Sequence, residues 1–175
     1  MKPADKLQAA IRSIPDFPKP GIIYRDITPI LKDVDLLSLA LRRIAAAASS
    51  YEFDVIAGPE SRGFIFGVPL ALQLGKGFIP IRKAGKLPFS TYSKSYALEY
   101  GQATIEIHTD AVEPGQKVLI VDDLLATGGT SKATIELFEE IGAKVSASVF
   151  LIELQGLGGR AALEHLSSVQ SVIQY

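Results

Sequence analysis

The chain predicts a single-domain α/β fold with a doubly wound, mainly parallel sheet flanked by helices. Three observations predict it. From residue 53 to residue 152, short apolar runs alternate with segments of helical period, the pattern of repeated strand–helix–strand units. The apolar run at 118–121 ends in two carboxylates, Asp122 and Asp123, and passes through small residues into a helix start. In open α/β sheets, ligands sit beyond such strand ends. The 175 residues suit one core.

Taken in order, Leu7, Ile11 and Ile14 lie at helical spacing, which predicts a short opening helix over 5–13, ended by Pro15. Residues 16–21 hold two prolines and a glycine and read as irregular. Asp33 or Asp35 caps a helix through Ala48 in which Leu37, Leu41 and Ile44 share a face. A short strand follows at 53–57. The helix predicted over 63–74 is stopped by Gly75, with Pro69 kinking it or marking its first turn. The strand at 78–82 contains Pro80, which places it near an edge or at a bulge.

Residues 83–98 break the rhythm. They are polar, without apolar period, and read as a lid or binding loop. A strand at 103–108 is expected to pair with 96–100 across Gly101 and Gln102. Then come a strand at 117–121, a helix at 131–141 closed by Gly142, and a strand at 145–152. Gly156-Leu-Gly158-Gly-Arg-Ala161 loosely matches a dinucleotide fingerprint, but no acid follows to hold a ribose and the tail looks too short for a full βαβ unit. These glycines read as a turn. There is no internal repeat and no second domain.

Composition narrows the function classes. Hydrophobic residues make up 47% and charged residues 21%, ordinary for a globular domain. A net charge of −1 offers no basic field for nucleic acid or anionic membrane. The absence of cysteine excludes disulfides and thiolate metal sites, and fits a reducing cytoplasm. The first twenty residues hold no unbroken apolar run of the kind a secretory signal needs, and no apolar run is long enough to span a bilayer. A soluble, cytoplasmic protein is expected.

The chemistry concentrates at 118–130, Val-Leu-Ile-Val-Asp-Asp-Leu-Leu-Ala-Thr-Gly-Gly-Thr. Adjacent carboxylates accept hydrogen bonds from vicinal hydroxyls, or draw Mg²⁺ toward a polyphosphate. Ala126, Thr127, Gly128, Gly129 and Thr130 lack bulk, so backbone N–H groups can converge on an anion. The two threonines add hydroxyls, and the helix starting near Ser131 adds its positive end. Each half alone is more simply an acidic turn or a threonine helix cap; joined after a strand, they favour a ligand carrying sugar hydroxyls and phosphate. No P-loop motif is present.

Residues 118–130 resemble the phosphoribosyl-diphosphate (PRPP) signature of the type I phosphoribosyltransferases. Three more stretches are similar to segments of that family: residues 16–29, Asp-Phe-Pro-Lys-Pro-Gly-Ile-Ile-Tyr-Arg-Asp-Ile-Thr-Pro; residues 60–67, Glu-Ser-Arg-Gly-Phe-Ile-Phe-Gly; and residues 82–101, with Arg-Lys-Ala-Gly-Lys-Leu-Pro and Ser-Tyr-Ala-Leu-Glu-Tyr-Gly. The resemblance covers nearly the whole chain. It implies a small N-terminal hood over about residues 1–34, a flexible lid loop or hairpin over about 83–102, and a homodimer. It also implies a purine-salvage reaction, in which the 5-phosphoribosyl group passes from PRPP to N9 of adenine, giving AMP and diphosphate, with Mg²⁺ carried mainly by PRPP near Asp122 and Asp123.

Residue by residue, the resemblance implies the following. Asp122 and Asp123 hold the ribose hydroxyls, and residues 126–130 clamp the 5′-phosphate. Glu60, Ser61, Arg62, Arg82, Lys83 and Lys86 form the diphosphate side, with a non-proline cis peptide near Glu60–Ser61. Glu99 handles the purine proton, with Tyr100 beside the reacting centre and Arg62 also catalytic. The main chain of Ile23 pairs with adenine, with Arg25 near N3 and Leu154 on the ring face. Phe89 departs from the family's small residue in the lid, and His108 and His165 read as surface or packing residues. Other readings are a different base on the same donor, a PRPP-sensing regulator and a binding protein without chemistry. The hood, the neutral charge balance and the lid argue against them in turn.

Overall fold

Seven strands form the central sheet of the computed structural model, which describes residues 3–97 and 101–175. Across the sheet they run β5 (Thr91–Ala97), β6 (Gln102–His108), β4 (Gly77–Lys83), β3 (Val55–Pro59), β7 (Lys117–Leu125), β8 (Lys144–Glu153) and β9 (Ser168–Gln174). The run from β4 to β9 is parallel, while β6 and β5 add an antiparallel edge. The fold is the expected α/β one. β3 is buried throughout because helices cover both of its faces, which is why its sequence is a continuous apolar run rather than an alternating one.

Four helices, α1 (Pro3–Ala10), α2 (Thr28–Leu31), α3 (Val34–Ala48) and α4 (Arg62–Leu74), cover one face. Ile56, Leu119 and Val121 of the sheet meet Ile44, Phe66 and Leu70 there. The alternate residues Val55, Ala57, Val118 and Ile120 turn to the other face, toward α5 (Gly129–Glu140) and α6 (Gly159–Leu163). The two-residue period of the strands thus divides the core into two layers. Of the two candidate caps for α3, Asp33 serves, its carboxylate accepting from the N–H groups of Asp35 (2.9 Å) and Leu36 (3.1 Å). Such a cap is worth about 1 kcal/mol.

Three expectations are corrected. The opening helix stops at Ala10, and β1 (Arg12–Pro15) pairs antiparallel with β2 (Ile23–Asp26) in a separate two-stranded sheet. The pairing is reinforced by Arg12 against Asp26 at 3.3 Å, and the apolar spacing that suggested helix served both states. Residues 91–95, expected as loop, join 96 and 97 in β5, and the hairpin register pairs Ala97 with Gln102 rather than turning at Gly101 and Gln102. β5 has no apolar period because it rests on α5 through polar side chains: Lys94 with Glu136 and Glu140, and Tyr96 with Thr130. Of the two places expected for Pro69, it takes the helix interior rather than the first turn of α4. The tail also completes a parallel βαβ crossover, since a helix of only five residues carries β8 to β9. Pro80 behaves as expected: β6 pairs with β4 only at Arg82 and Lys83, leaving that flank of Pro80 outside the ladder.

Candidate active site

From β3 the chain winds outward to β4; after the edge hairpin it returns to the opposite flank of β3 as β7. The carboxyl ends of β3 and β7 therefore adjoin where the winding reverses, the place at which open α/β sheets leave a crevice. A cavity of about 540 Å³ opens there. Its walls are residues 59–62 after β3, residues 122–131 at the end of β7 and the start of α5, and Tyr96 and Ala97 of the edge hairpin.

The acidic floor is held by close backbone packing. A Cβ on Gly63 would stand 2.8 Å from Pro59 Cδ and 3.0 Å from the Val121 carbonyl, so only glycine lets the start of α4 approach the end of β7 this closely. That approach brings Arg62 Nε to 3.1 Å from Asp123 Oδ2. The Arg62 Nη1 donates to the Tyr24 hydroxyl on β2 at 3.1 Å, which ties the N-terminal hairpin to the site. Asp123 is 3% exposed, and its Oδ2, despite the ion pair, is buried without a hydrogen bond among the described residues. Asp122 Oδ1 accepts from the Asp123 N–H at 2.8 Å. Burial pushes both carboxyls above the usual range; the neighbouring carboxylate raises Asp122 further, while Arg62 partly restrains Asp123.

Beyond the acids, the loop turns at Gly128 (φ +83°), the residue just before α5. Gly159 of α6 backs this turn: a Cβ there would meet the Ala126 carbonyl at 2.3 Å. Among the described residues no side chain caps α5, so the N–H groups of its first turn stay available to a ligand at the cavity wall. Thr130 Oγ1 lies 2.9 Å from the Tyr96 hydroxyl.

On the opposite wall the Glu60–Ser61 peptide is cis, as expected. Arg82 Nε donates to Glu60 Oε2 at 2.5 Å. Burial raises the Glu60 carboxyl, but Arg82 and Lys83 outweigh it and hold the group below its ordinary value. Glu60, Ser61 and Arg62 line the cavity; Arg82, Lys83 and Lys86 do not, and the two lysines are exposed. Glu99 and Tyr100 lie outside the described residues.

None of the three residues expected at the base lines the cavity. Ile23 is half exposed and adjoins Tyr24. Arg25 stacks on the Tyr175 ring at 3.7 Å and donates to Ser13 Oγ, with its Nε buried and unbonded. The Leu154 N–H donates to the carbonyl of Leu125, itself a lining residue, at 2.9 Å. His108 packs edge-on to Phe89, and His165 is exposed, both as expected. Tyr24, Tyr96 and Gly159 were not foreseen. Tyr24 had a signal, standing between Ile23 and Arg25; Gly159 had none, because its contact with Ala126 is visible only in three dimensions.

Among the described residues, no three His, Cys, Asp or Glu side chains converge as a metal site. The donor set is two adjacent carboxylates, one already facing Arg62, so any divalent cation held here would need most of its oxygen ligands from a bound phosphate and water.

The phosphoribosyl transferase domain family matches residues 28–172. An adenine phosphoribosyltransferase of Lachnoclostridium phytofermentans is 55% identical over 170 residues, 97% of each chain. Among solved structures, adenine phosphoribosyltransferase from Thermoanaerobacter pseudethanolicus is 50% identical with a TM-score of 0.95, covering 98% of this chain and 99% of that one. The Saccharomyces cerevisiae enzyme, complexed with an imino-altritol bisphosphate and adenine, is 39% identical with a TM-score of 0.91, covering 97% and 98%.

Proposed function

The chain belongs to the phosphoribosyl transferase family, among its adenine phosphoribosyltransferases, and we propose how its cavity carries the transfer of a 5-phosphoribosyl group from PRPP to adenine N9. The observation that carries the proposal is the pairing, in one cavity, of an acidic strand end with an uncapped helix start. The first suits ribose hydroxyls and the second a 5′-phosphate.

Asp123 Oδ2, buried without a hydrogen bond, is an acceptor waiting for a hydroxyl donor, and Asp122 takes the neighbouring one. The N–H groups and hydroxyls of Ala126, Thr127, Gly128, Gly129 and Thr130 clamp the phosphate. Departure of diphosphate leaves positive charge at the anomeric carbon, so most of the rate comes from positioning, preorganised charge and exclusion of water. Arg62 meets the leaving diphosphate from the start of α4, with Ser61. Glu60 acts through Arg82, whose guanidinium it orients, because a carboxylate does not itself bind an anion. Lys83 and Lys86 add charge from the exposed rim, and belong to a homodimer in which they reach toward the neighbouring subunit.

Ile23 pairs with adenine through its main chain, with Arg25 and Leu154 around the ring. Glu99 exchanges the purine proton, and Tyr100 packs beside the reacting centre. Mg²⁺ enters with PRPP, near Asp122 and Asp123, and neutralises charge on the diphosphate when bound. The working compartment is the cytoplasm.

With PRPP, Mg²⁺ and adenine, AMP and diphosphate should appear one for one, and excess chelator should stop both. Diphosphate released without AMP would mean hydrolysis of the donor rather than transfer.

A further inference from the structure

The cavity wall contributed by β5 has no part in the transfer chemistry assigned to the other two walls. Tyr96 stands on that wall, its hydroxyl 2.9 Å from Thr130 Oγ1. Its ring lies beside the first residue of α5: a Cβ built on Gly129 would stand 3.6 Å from Tyr96 Cδ2, an ordinary contact. Two residues back on the same side of the strand, Lys94 bridges Glu136 (3.4 Å) and Glu140 of α5. The strand is thus fastened along the helix, and the ring is packed against the core layer beneath it. Ring and strand together fix where the phenol oxygen sits, leaving only the proton free to rotate.

We propose that Tyr96 is a positioning residue of the phosphate site, which holds the Thr130 hydroxyl with its proton turned toward the ligand. The inference rests on reading residues 126–130 as the phosphate cradle. A hydroxyl has one proton and two acceptor lone pairs. A phosphate oxygen facing Thr130 can only accept, so Thr130 must donate to it. The Tyr96–Thr130 hydrogen bond then has one allowed direction: Tyr96 donates and Thr130 Oγ1 accepts. Accepting one bond polarises the hydroxyl and strengthens the bond it donates. With the phenol gone, Thr130 keeps its proton but loses the partner that aims it.

Tyr96→Phe keeps the ring and removes only the hydroxyl. It should raise KM for PRPP about five-fold, the usual worth of one hydrogen bond, while kcat and KM for adenine change less than about two-fold. A role in stability alone would not produce that split. Thr130→Ala should raise KM for PRPP at least as much, Thr130→Ser should restore it, and the double variant Tyr96→Phe with Thr130→Ala should be no worse than Thr130→Ala. Multiplying losses in the double variant, or a Tyr96→Phe effect on kcat or on adenine instead of PRPP, would overturn the Tyr96 assignment while leaving the cradle intact. If Thr130→Ala leaves KM for PRPP unchanged, the cradle reading falls and takes this inference with it.

Discussion

Asp123 and Arg62 illustrate how single residues in this site trade stability for readiness. Arg62 Nε faces a buried carboxylate oxygen at 3.1 Å without hydrogen bonding it, and the same oxygen has no other partner among the described residues. If the arginine meets diphosphate as proposed, Arg62→Ala should lower kcat/KM for PRPP at least ~10-fold, a loss of roughly 1.4 kcal/mol of transition-state stabilisation. An unchanged value would remove Arg62 from the site. Asp122 gives a complementary expectation. Burial and the adjacent Asp123 raise its carboxyl in the folded chain. The folded state therefore holds a proton that the unfolded state releases, and stability falls as pH rises above the ordinary carboxylate range. Asp122→Asn should raise Tm at pH 7–8, with the advantage shrinking toward pH 4, while transfer activity collapses. A lower Tm for the variant at pH 7–8 would show that the carboxylate is not strained by burial.

At the level of elements, the short helix α6 supports the site from behind. Glu153, 3% exposed at the end of β8, accepts from Arg160 Nε (2.8 Å) and Nη2 (2.5 Å) and from Ser171 Oγ (2.6 Å), and Arg160 Nη1 reaches the Val169 carbonyl at 2.9 Å. One ion pair thus joins β8, α6 and β9. Arg160, helped by Ser171, holds the Glu153 carboxyl below its ordinary value, so this stabilisation is present above the unfolded carboxylate range and lost as pH falls through the folded value. Arg160→Ala should cost about 2–3 kcal/mol near neutral pH, less than a fully buried pair because Arg160 is partly exposed, and the gap to the native chain should narrow in urea melts below about pH 4. A pH-independent gap would assign the loss to packing alone. Gly159→Ala drives a methyl into the Ala126 carbonyl and should raise KM for PRPP with about 1–3 kcal/mol of destabilisation; an unaltered KM would separate α6 from the loop. Elements with an apolar period or a strand-end motif, such as β3, β7 and α5, were legible in the sequence. β5 was not, since it meets α5 through polar side chains, nor was β1, a four-residue strand whose apolar residues continue the helical spacing of α1, and α6 was too short to suggest a crossover.

For the molecule as a whole, the site follows from the winding order. Because β4 and β7 leave β3 in opposite directions, the acidic turn and the Arg62 loop must face each other across one crevice. Tyr24 brings the N-terminal hairpin onto that crevice through Arg62, so the proposed donor and acceptor sides are mechanically joined. Residues 118–130 alone pointed to sugar hydroxyls and phosphate at a strand end, while the proposed diphosphate side, with Arg62, came from the resemblance. The acceptor side came only from the resemblance, since Ile23 and Leu154 look like core residues in sequence, and their proposed roles run through main chain and ring contact. Base selection is therefore the claim most exposed to test. A coupled assay should supply PRPP and Mg²⁺ with adenine, guanine and hypoxanthine in parallel. AMP should form from adenine, with no turnover of the other two bases; guanine consumed as fast as adenine would contradict the assignment of the acceptor side.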